Sequence, residues 1–406
     1  MRRIIRTPRL FGGTGDAPGP AEIAIEGERI AVVHRGLGTV ARDGEPVLDL
    51  PGGTLLPGLI DAHVHLMGSG EPGDTAFGVG DLLNAIPAVT LNCLRNAMRD
   101  LESGFTTVRD AACRHYADIA LRDATARGDV VGPRIWACGL GITSTTGHMN
   151  REKLLPPHLT LPGPSAVADG PEEAHKAVRL DLRYDVDFIK FNATRTEHVR
   201  RYQGYCAPEM TAATMAALIA EAHWHGRTVT AHCYGGAGAD WALDAGIDGI
   251  EHGFYLSDTQ LDRMAKQGTA LCPTLSVVGK FREHGQHALP PGVPHLEAWR
   301  QKAIANAWRT VGRARELGGF HSFPRIGPPE HRADFLTRAR VVPDSSGRAN
   351  TMTKRVPPPS SRTARWRCVS VYCDGQRTGG ASILARSVRA RWVDGRTAHR
   401  CIAQRD

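Results

Sequence analysis

No apolar run in this 406-residue chain approaches the roughly 20 residues that span a bilayer, so no membrane contact is expected. The basic opening, MRRIIRTPRLFGG, lacks the long apolar stretch of a secretory signal. No Cys-x-x-Cys pair occurs among the nine cysteines. Their odd, scattered count argues for reduced thiols in a cytoplasm rather than a disulfide framework. Lysine is scarce, seven against 43 arginines, which fits a GC-rich gene. With 41% hydrophobic residues, the chain reads as a soluble globular protein large enough for one barrel and a small accessory domain. The formal net charge of +8 does not make that body a nucleic-acid binder. Residues 319–406 hold sixteen Arg, one Lys and six acids, a formal +11, which leaves the first 318 residues at −3. The basicity belongs to the tail.

What the chain does have is alternation. Residues 1–52 read as short strands, with AEIAIEGERIAVVH alternating apolar and polar and Gly and Pro as punctuation. From residue 53, strand-like and helix-like runs alternate. Seven strand candidates stand out: LIDAHVH (59–65), FTTVRD (105–110), RIWACG (134–139), DFIKF (187–191), TVTAHC (228–233), DGIEHG (248–253) and TALCPT (269–274). Helices are predicted over 89–103, with Leu91, Leu94, Met98 and Leu101 at helical spacing, over 211–225, and over about 295–317. Repeated β-then-α units imply a parallel sheet, and seven or eight of them an α/β fold of the (β/α)8 TIM-barrel type.

Barrel enzymes place their chemistry at the C-terminal ends of strands. Here four strands carry a metal-capable residue at or near that end: His63 and His65, then Lys190, His232 and His252. Residues two apart in a strand share a face, so His63 and His65 project together. The similar pair His223 and His225 ends a predicted helix, where such residues diverge, and should be inert. Lysine is the odd member, since an ammonium has no lone pair to donate. Burial beside cations disfavours the charged form, and a neutral amine can take up carbon dioxide as a carbamate whose two oxygens bridge two metals. His63 and His65 would then hold one divalent ion, His232 and His252 a second, and the carbamate on Lys190 both. Such a pair activates water and polarises a carbonyl, giving hydrolysis near neutral pH. Imidazole with oxygen donors suits zinc best, with manganese, cobalt and iron admissible.

The motifs PGLIDAHVH, GFTTVRD, DFIKF, TVTAHCYG and GIEHG, in that order, make the first 318 residues similar to the amidohydrolase superfamily. The nearest branch comprises imidazolonepropionase-like and Xaa-Pro-dipeptidase-like metal-dependent hydrolases. The resemblance implies metal ligation by His63, His65, Lys190, His232 and His252, and a substrate that is an amide, dipeptide, N-acyl amino acid or cyclic amide. It makes residues 1–52 half of a small β-sandwich and 53–318 the barrel. It also implies that His148, in TSTTGHMN after the third strand, faces the substrate carbonyl; the usual second glycine of that motif is Thr146 here. Tyr234 is open between a hydrogen bond to a substrate carboxylate and packing. Arg109 and Asp110 end the second strand, where a structural salt-bridge use is expected of them, and a homo-oligomer is left open.

The resemblance stops at Gly318. Relatives carry on strand eight a Gly-Thr-Asp or Gly-Ser-Asp whose aspartate binds metal and takes the proton from water, and no such motif follows here. Composition turns to Arg, Pro and Ser, and no return to the sandwich is evident, so 319–406 is expected to be poorly ordered. Three readings compete: a natural basic tail, a diverged strand in which Asp334 or Asp344 substitutes, and a reading-frame shift near codon 319. The last is favoured, because RIGP read one base on can encode Gly-Ser-Asp. The functional expectation is therefore an amidohydrolase impaired by the lost aspartate; the alternative is a metal-binding remnant without turnover.

Overall fold

The computed structural model describes residues 2–12, 17–68, 84–150, 155–156, 158–159, 165–195, 206–278, 294–317, 370–373, 391–393 and 396–398. Two compact units emerge: Met1–Ile60 with Met98–Thr107 and Thr363–Asp406, and Asp61–Ala97 with Val108–Arg362. The expected substitutes Asp334 and Asp344 lie outside the described residues.

In the first unit β1 (Arg2–Leu10), β2 (Gly19–Glu26), β3 (Arg29–Arg35), β4 (Val47–Asp49) and β5 (Gly53–Leu56) form one sheet, in the order β5-β1-β2-β3 with β4 also paired to β1. The predicted alternation sets the buried face: Ile5, Leu10, Ala21, Ile23, Leu50 and Leu55 pack as one apolar cluster. A strand at Ser370–Cys373 runs antiparallel beside β5. The expected lack of any C-terminal return is thus corrected. Four residues in an Arg-rich setting are too few to show a period.

Glu22 is fully buried, and its carboxylate accepts from the amides of Gly38 (2.8 Å), Thr39 (3.1 Å) and Val40 (2.7 Å) and from Arg6 Nε (2.7 Å) across the β1–β2 pair. Burial pushes this carboxyl up, but the amides and the guanidinium outweigh burial and hold it down, to about 2. A depressed carboxylate stabilises the fold fully above the ordinary range and less as pH falls through the depressed value. Glu22→Gln should therefore cost about 2 kcal/mol at pH 7. The gap to wild type should close as the pH falls toward 2, as read by urea unfolding at several pH values. A pH-independent gap would contradict the charge argument.

In the second unit all seven predicted strands form. They are β6 (Leu59–Val64) and β7 (Phe105–Asp110), whose first residues, Leu59–Ile60 and Phe105–Thr107, belong to the first unit, then β8 (Arg134–Ala137), β11 (Ile189–Asn192), β12 (Val229–Gly235), β13 (Gly249–Tyr255) and β14 (Ala270–Cys272). Two-residue strands β9 (Ile142–Thr143) and β10 (Ala166–Val167) join them, too short to be seen in the sequence. The ladder β10-β9-β11-β12-β13-β14 is parallel throughout, and β6-β7-β8 form a second sheet. Its strands are buried on both faces, with Ile142, Ile189, Phe191, Ile250 and Phe254 inaccessible, as a helix-covered parallel sheet requires. The last pieces of backbone described are β15 (the Ser370–Cys373 strand), β16 (Arg391–Val393) and β17 (Arg396–Ala398), the last two a hairpin.

Helices α1 (Ile86–Glu102), α2 (Ala117–Arg127), α3 (Pro171–Leu182), α4 (Ala212–Trp224), α5 (Gly236–Asp244), α6 (Asp258–Gln267) and α7 (Pro294–Glu316) separate the strands. Thr211 caps α4, accepting from the Thr214 amide, and Met215, Leu218, Ile219 and Ala222 form its buried stripe as the spacing predicts. Ser257 and Gln260 make a reciprocal capping box on α6. On α1 the expectation fails by one position. Val89, Cys93 and Ala97 are buried, whereas Leu91 is 65% exposed. On the buried side Cys93 Sγ meets Cys113 Sγ at 3.7 Å. Among the described residues no helix is long and apolar enough to cross a membrane.

Candidate metal centre

The four strand histidines converge. Ring centroids lie 5.1 Å apart for His63–His65, 5.0 Å for His63–His252 and 4.6 Å for His232–His252. His148 stacks on His232 at 4.3 Å, and Tyr234 lies 4.7 Å from His232 and 5.7 Å from His252. Lys190 is 4% exposed, on β11 beside Thr230 of β12, and its charge acts on all four imidazoles. The decoy pair stays apart: His223 Nε2 bonds Asp248 (2.7 Å) and His225 Nε2 bonds Glu221 (3.2 Å) at the end of α4.

Each imidazole is prepared differently. His63 Nδ1 lies 2.7 Å from Glu251 Oε2, and His65 Nδ1 3.1 Å from the Ala112 carbonyl. Neither acceptor can donate, so both histidines carry the proton on Nδ1 and present the lone pair on Nε2. His252 Nδ1 meets the Thr274 hydroxyl at 2.7 Å. His232 is buried, and its Nε2 has no hydrogen-bond partner among the described residues. An unsatisfied buried polar atom is costly unless something binds it.

Electrostatics favour the ligand form. Burial, then the neighbouring His63 and Lys190, push His65 down to about 3. Burial foremost also depresses His63, His232 and His252, so all four imidazoles are neutral at pH 7. Burial likewise pushes the Lys190 ammonium down. Imidazole lone pairs with a buried amine are a donor set that suits borderline divalent ions.

Beneath the histidines lies a residue that the sequence reading overlooked. Glu251, wholly buried, accepts from Arg109 Nη1 (2.8 Å), Thr230 Oγ1 (2.6 Å) and His63. Burial would raise its carboxyl, but Arg109 and His63 hold it well below the usual range. Arg109 also donates to the Ala62 carbonyl at 2.9 Å and lies 4.0 Å over the Phe188 ring. The structural salt bridge expected at Arg109 exists, with Glu251 as its partner. Asp110 instead accepts from the Leu66 amide at 3.2 Å. Ligand-capable atoms of His63, Glu251 and Cys272 also lie within 4.8 Å of one another. Both Glu251 oxygens are already engaged, so it orients His63 rather than offering a free donor. Strand alternation would send Glu251 and His252 to opposite faces. The left-handed backbone of His252, φ 73°, at a register shift between β12 and β13, breaks that alternation, and both neighbours meet His63.

The loop 143–149 carries His148. Glu209 accepts there from Thr143 Oγ1 (2.6 Å), the Ser144 amide (3.0 Å) and the His148 amide (2.8 Å). A Cβ on Gly147 would lie 2.1 Å from Glu209 Oε1, so the glycine that this loop needs is Gly147, which is present, and Thr146 is tolerated beside it.

Comparison with known proteins agrees with this architecture. The Amidohydrolase family model matches residues 54–307, and the chain belongs to that family. An ochratoxinase of Aspergillus niger is 28% identical over 242 residues, 56% of this chain and 49% of that protein. The chain thus spans about half the length of the curated relatives it matches there. A solved Xaa-Pro dipeptidase with bound methionine in the active site is 27% identical, covers 79% of this chain and 80% of its own, and has a TM-score of 0.66. The solved A. niger ochratoxinase, 24% identical, covers 80% and 76% with a TM-score of 0.67 and shares the fold. The α/β fold is accordingly that of the TIM-barrel type.

Proposed function

We propose that the chain is a metal-dependent hydrolase of carbon–nitrogen bonds in small amides, dipeptides or N-acyl amino acids. The observation that carries the reading is the unpartnered buried Nε2 of His232 among neutral imidazoles and a buried lysine. His63 and His65 would hold one divalent ion, His232 and His252 another, and Lys190, as a carbamate, both. Zinc suits these donors best. Bound there, such ions supply Lewis acidity toward a carbonyl and toward water.

The chain's own residues do the rest. Glu251 and the Ala112 carbonyl fix the tautomers of His63 and His65. His148 would donate to a substrate carbonyl, and Tyr234 would hydrogen-bond a carboxylate on the substrate. A protein named for dipeptide cleavage among the structural neighbours supports that substrate class. Reduced thiols support a cytoplasmic setting, where a small-molecule substrate needs neither nucleic acid nor membrane.

A second reading, metal binding without turnover, is favoured by the absence of Gly-Ser/Thr-Asp after Gly318. Metal analysis with a dipeptide and N-acyl amino acid panel separates the two. Two ions per chain, with hydrolysis abolished by chelation and restored by zinc, support the enzyme. Two ions without turnover support the remnant, and no bound metal defeats both. Sequencing the gene across codons 310–330 tests the frame shift separately.

A further inference from the structure

We propose that Glu209 is a positioning residue that holds His148 over His232. The inference rests on the functional reading above, in which His148 faces the substrate, and adds a residue to it. Glu209 lies between β11 and α4, remote in sequence from the loop that it holds. Its own backbone is anchored beside β11: its amide donates to the Ala193 carbonyl at 2.9 Å, and Pro208 bridges Thr194. Its side chain, in a residue 5% exposed, reaches the loop 143–149 and takes three donors there.

Two features make this more than loop packing. The donors flank the functional side chain, with the His148 amide on Oε2 and the Thr143 hydroxyl and Ser144 amide on Oε1. Thr143 Oγ1 passes the restraint on, accepting from the Met149 amide at 3.2 Å. Gly147 leaves no space between loop and carboxylate, as a Cβ would fall 2.1 Å from Glu209 Oε1 and 2.2 Å from Thr143 Oγ1. The His148 ring then lies nearly parallel to His232, at 25°. Charge-assisted bonds to backbone amides are strong and directional. They fix the main chain of His148, and with it the origin of the side chain that stacks on His232. Lys190 of β11 and His148 of the loop are thereby referenced to the same strand end.

The test uses the full chain with His148→Ala, Glu209→Ala, Glu209→Gln and the double variant Glu209→Ala/His148→Ala. Amide hydrogen exchange over 143–149 is read without added metal. Glu209→Ala should speed exchange at Ser144 and His148 by about tenfold, the loss of one ordinary hydrogen bond, with β11 and β12 unaffected. Metal content after zinc loading should not change. Hydrolysis should fall about a hundredfold, mainly in kcat, as expected for a misplaced group. In the His148→Ala background, Glu209→Ala should cost nothing further. Glu209→Gln keeps an oxygen for Thr143 but offers the His148 amide no acceptor on its nitrogen, so it should fall between. Should the alanine variant fail to fold, the glutamine variant carries the same readings at reduced size.

Unchanged loop exchange, or a full additional loss in the His148→Ala background, overturns the proposal. If His148→Ala leaves hydrolysis intact, or no hydrolysis is present to lose, the substrate-facing reading of His148 fails on its own. Loop exchange then decides whether Glu209 positions the residue.

Discussion

Lys190→Ala should bind fewer than two metal ions and hydrolyse dipeptides or N-acyl amino acids at least about a thousandfold more slowly than the wild-type chain, equivalent to about 4 kcal/mol of transition-state stabilisation. The expectation follows from position and charge together. Lys190 is 4% exposed among imidazoles that burial keeps neutral; burial disfavours its ammonium, against the pull of Glu251 beneath it. Capture of carbon dioxide by the neutral amine, with loss of a proton, would leave an anionic carbamate facing neutral lone pairs. Reloading stripped protein with zinc should accordingly require bicarbonate, and mass spectrometry under native conditions should show one added carbon dioxide. Full reloading in carbon-dioxide-free buffer, with activity, would overturn the carbamate.

Glu251→Gln should carry the largest effect on stability. It leaves the Arg109 guanidinium, whose residue is 3% exposed, without its carboxylate, and breaking a buried pair from one side costs about 3–5 kcal/mol. It also weakens the bond that orients His63, and a loss of about 10–100-fold in metal affinity is expected from such orienting partners. Urea unfolding measures the first and competition with a chromophoric chelator the second. Adding Arg109→Met should recover much of the stability but none of the affinity, since the tautomer of His63 stays unsecured. Recovery of both would assign Glu251 to the core alone.

The sequence made the scaffold readable because barrel strands announce themselves. Seven apolar runs, each followed by turn residues and most by an amphipathic stretch, became seven strands. The His-x-His at the end of β6, with His63 in the strand and His65 just past it, was legible for the same reason, and the helical pair His223 and His225 lies apart, bonded to Asp248 and Glu221. The supporting residues were harder to see. Glu251 sits next to His252 and should have faced away from it; only a left-handed φ at His252 makes them neighbours of one ring. Glu209 is 61 residues from His148 and carries no spacing signal. A glycine in a loop gives no hint of what lies against it, so Thr146 drew attention while Gly147 carried the constraint. The face of α1 was misjudged because leucines outrank Val, Cys and Ala in apolarity, whereas the helix buries Val89, Cys93 and Ala97.

His252 and the residue it bonds, Thr274, both adopt left-handed backbone, φ 73° and 44°. Each such departure by a residue with a side chain costs about 1–3 kcal/mol. The barrel is therefore held in a conformation that its own folding does not prefer, and a relaxed version of the same strand ends would make a hardier protein with a duller purpose. Selection for thermal robustness alone would be expected to erode this corner first.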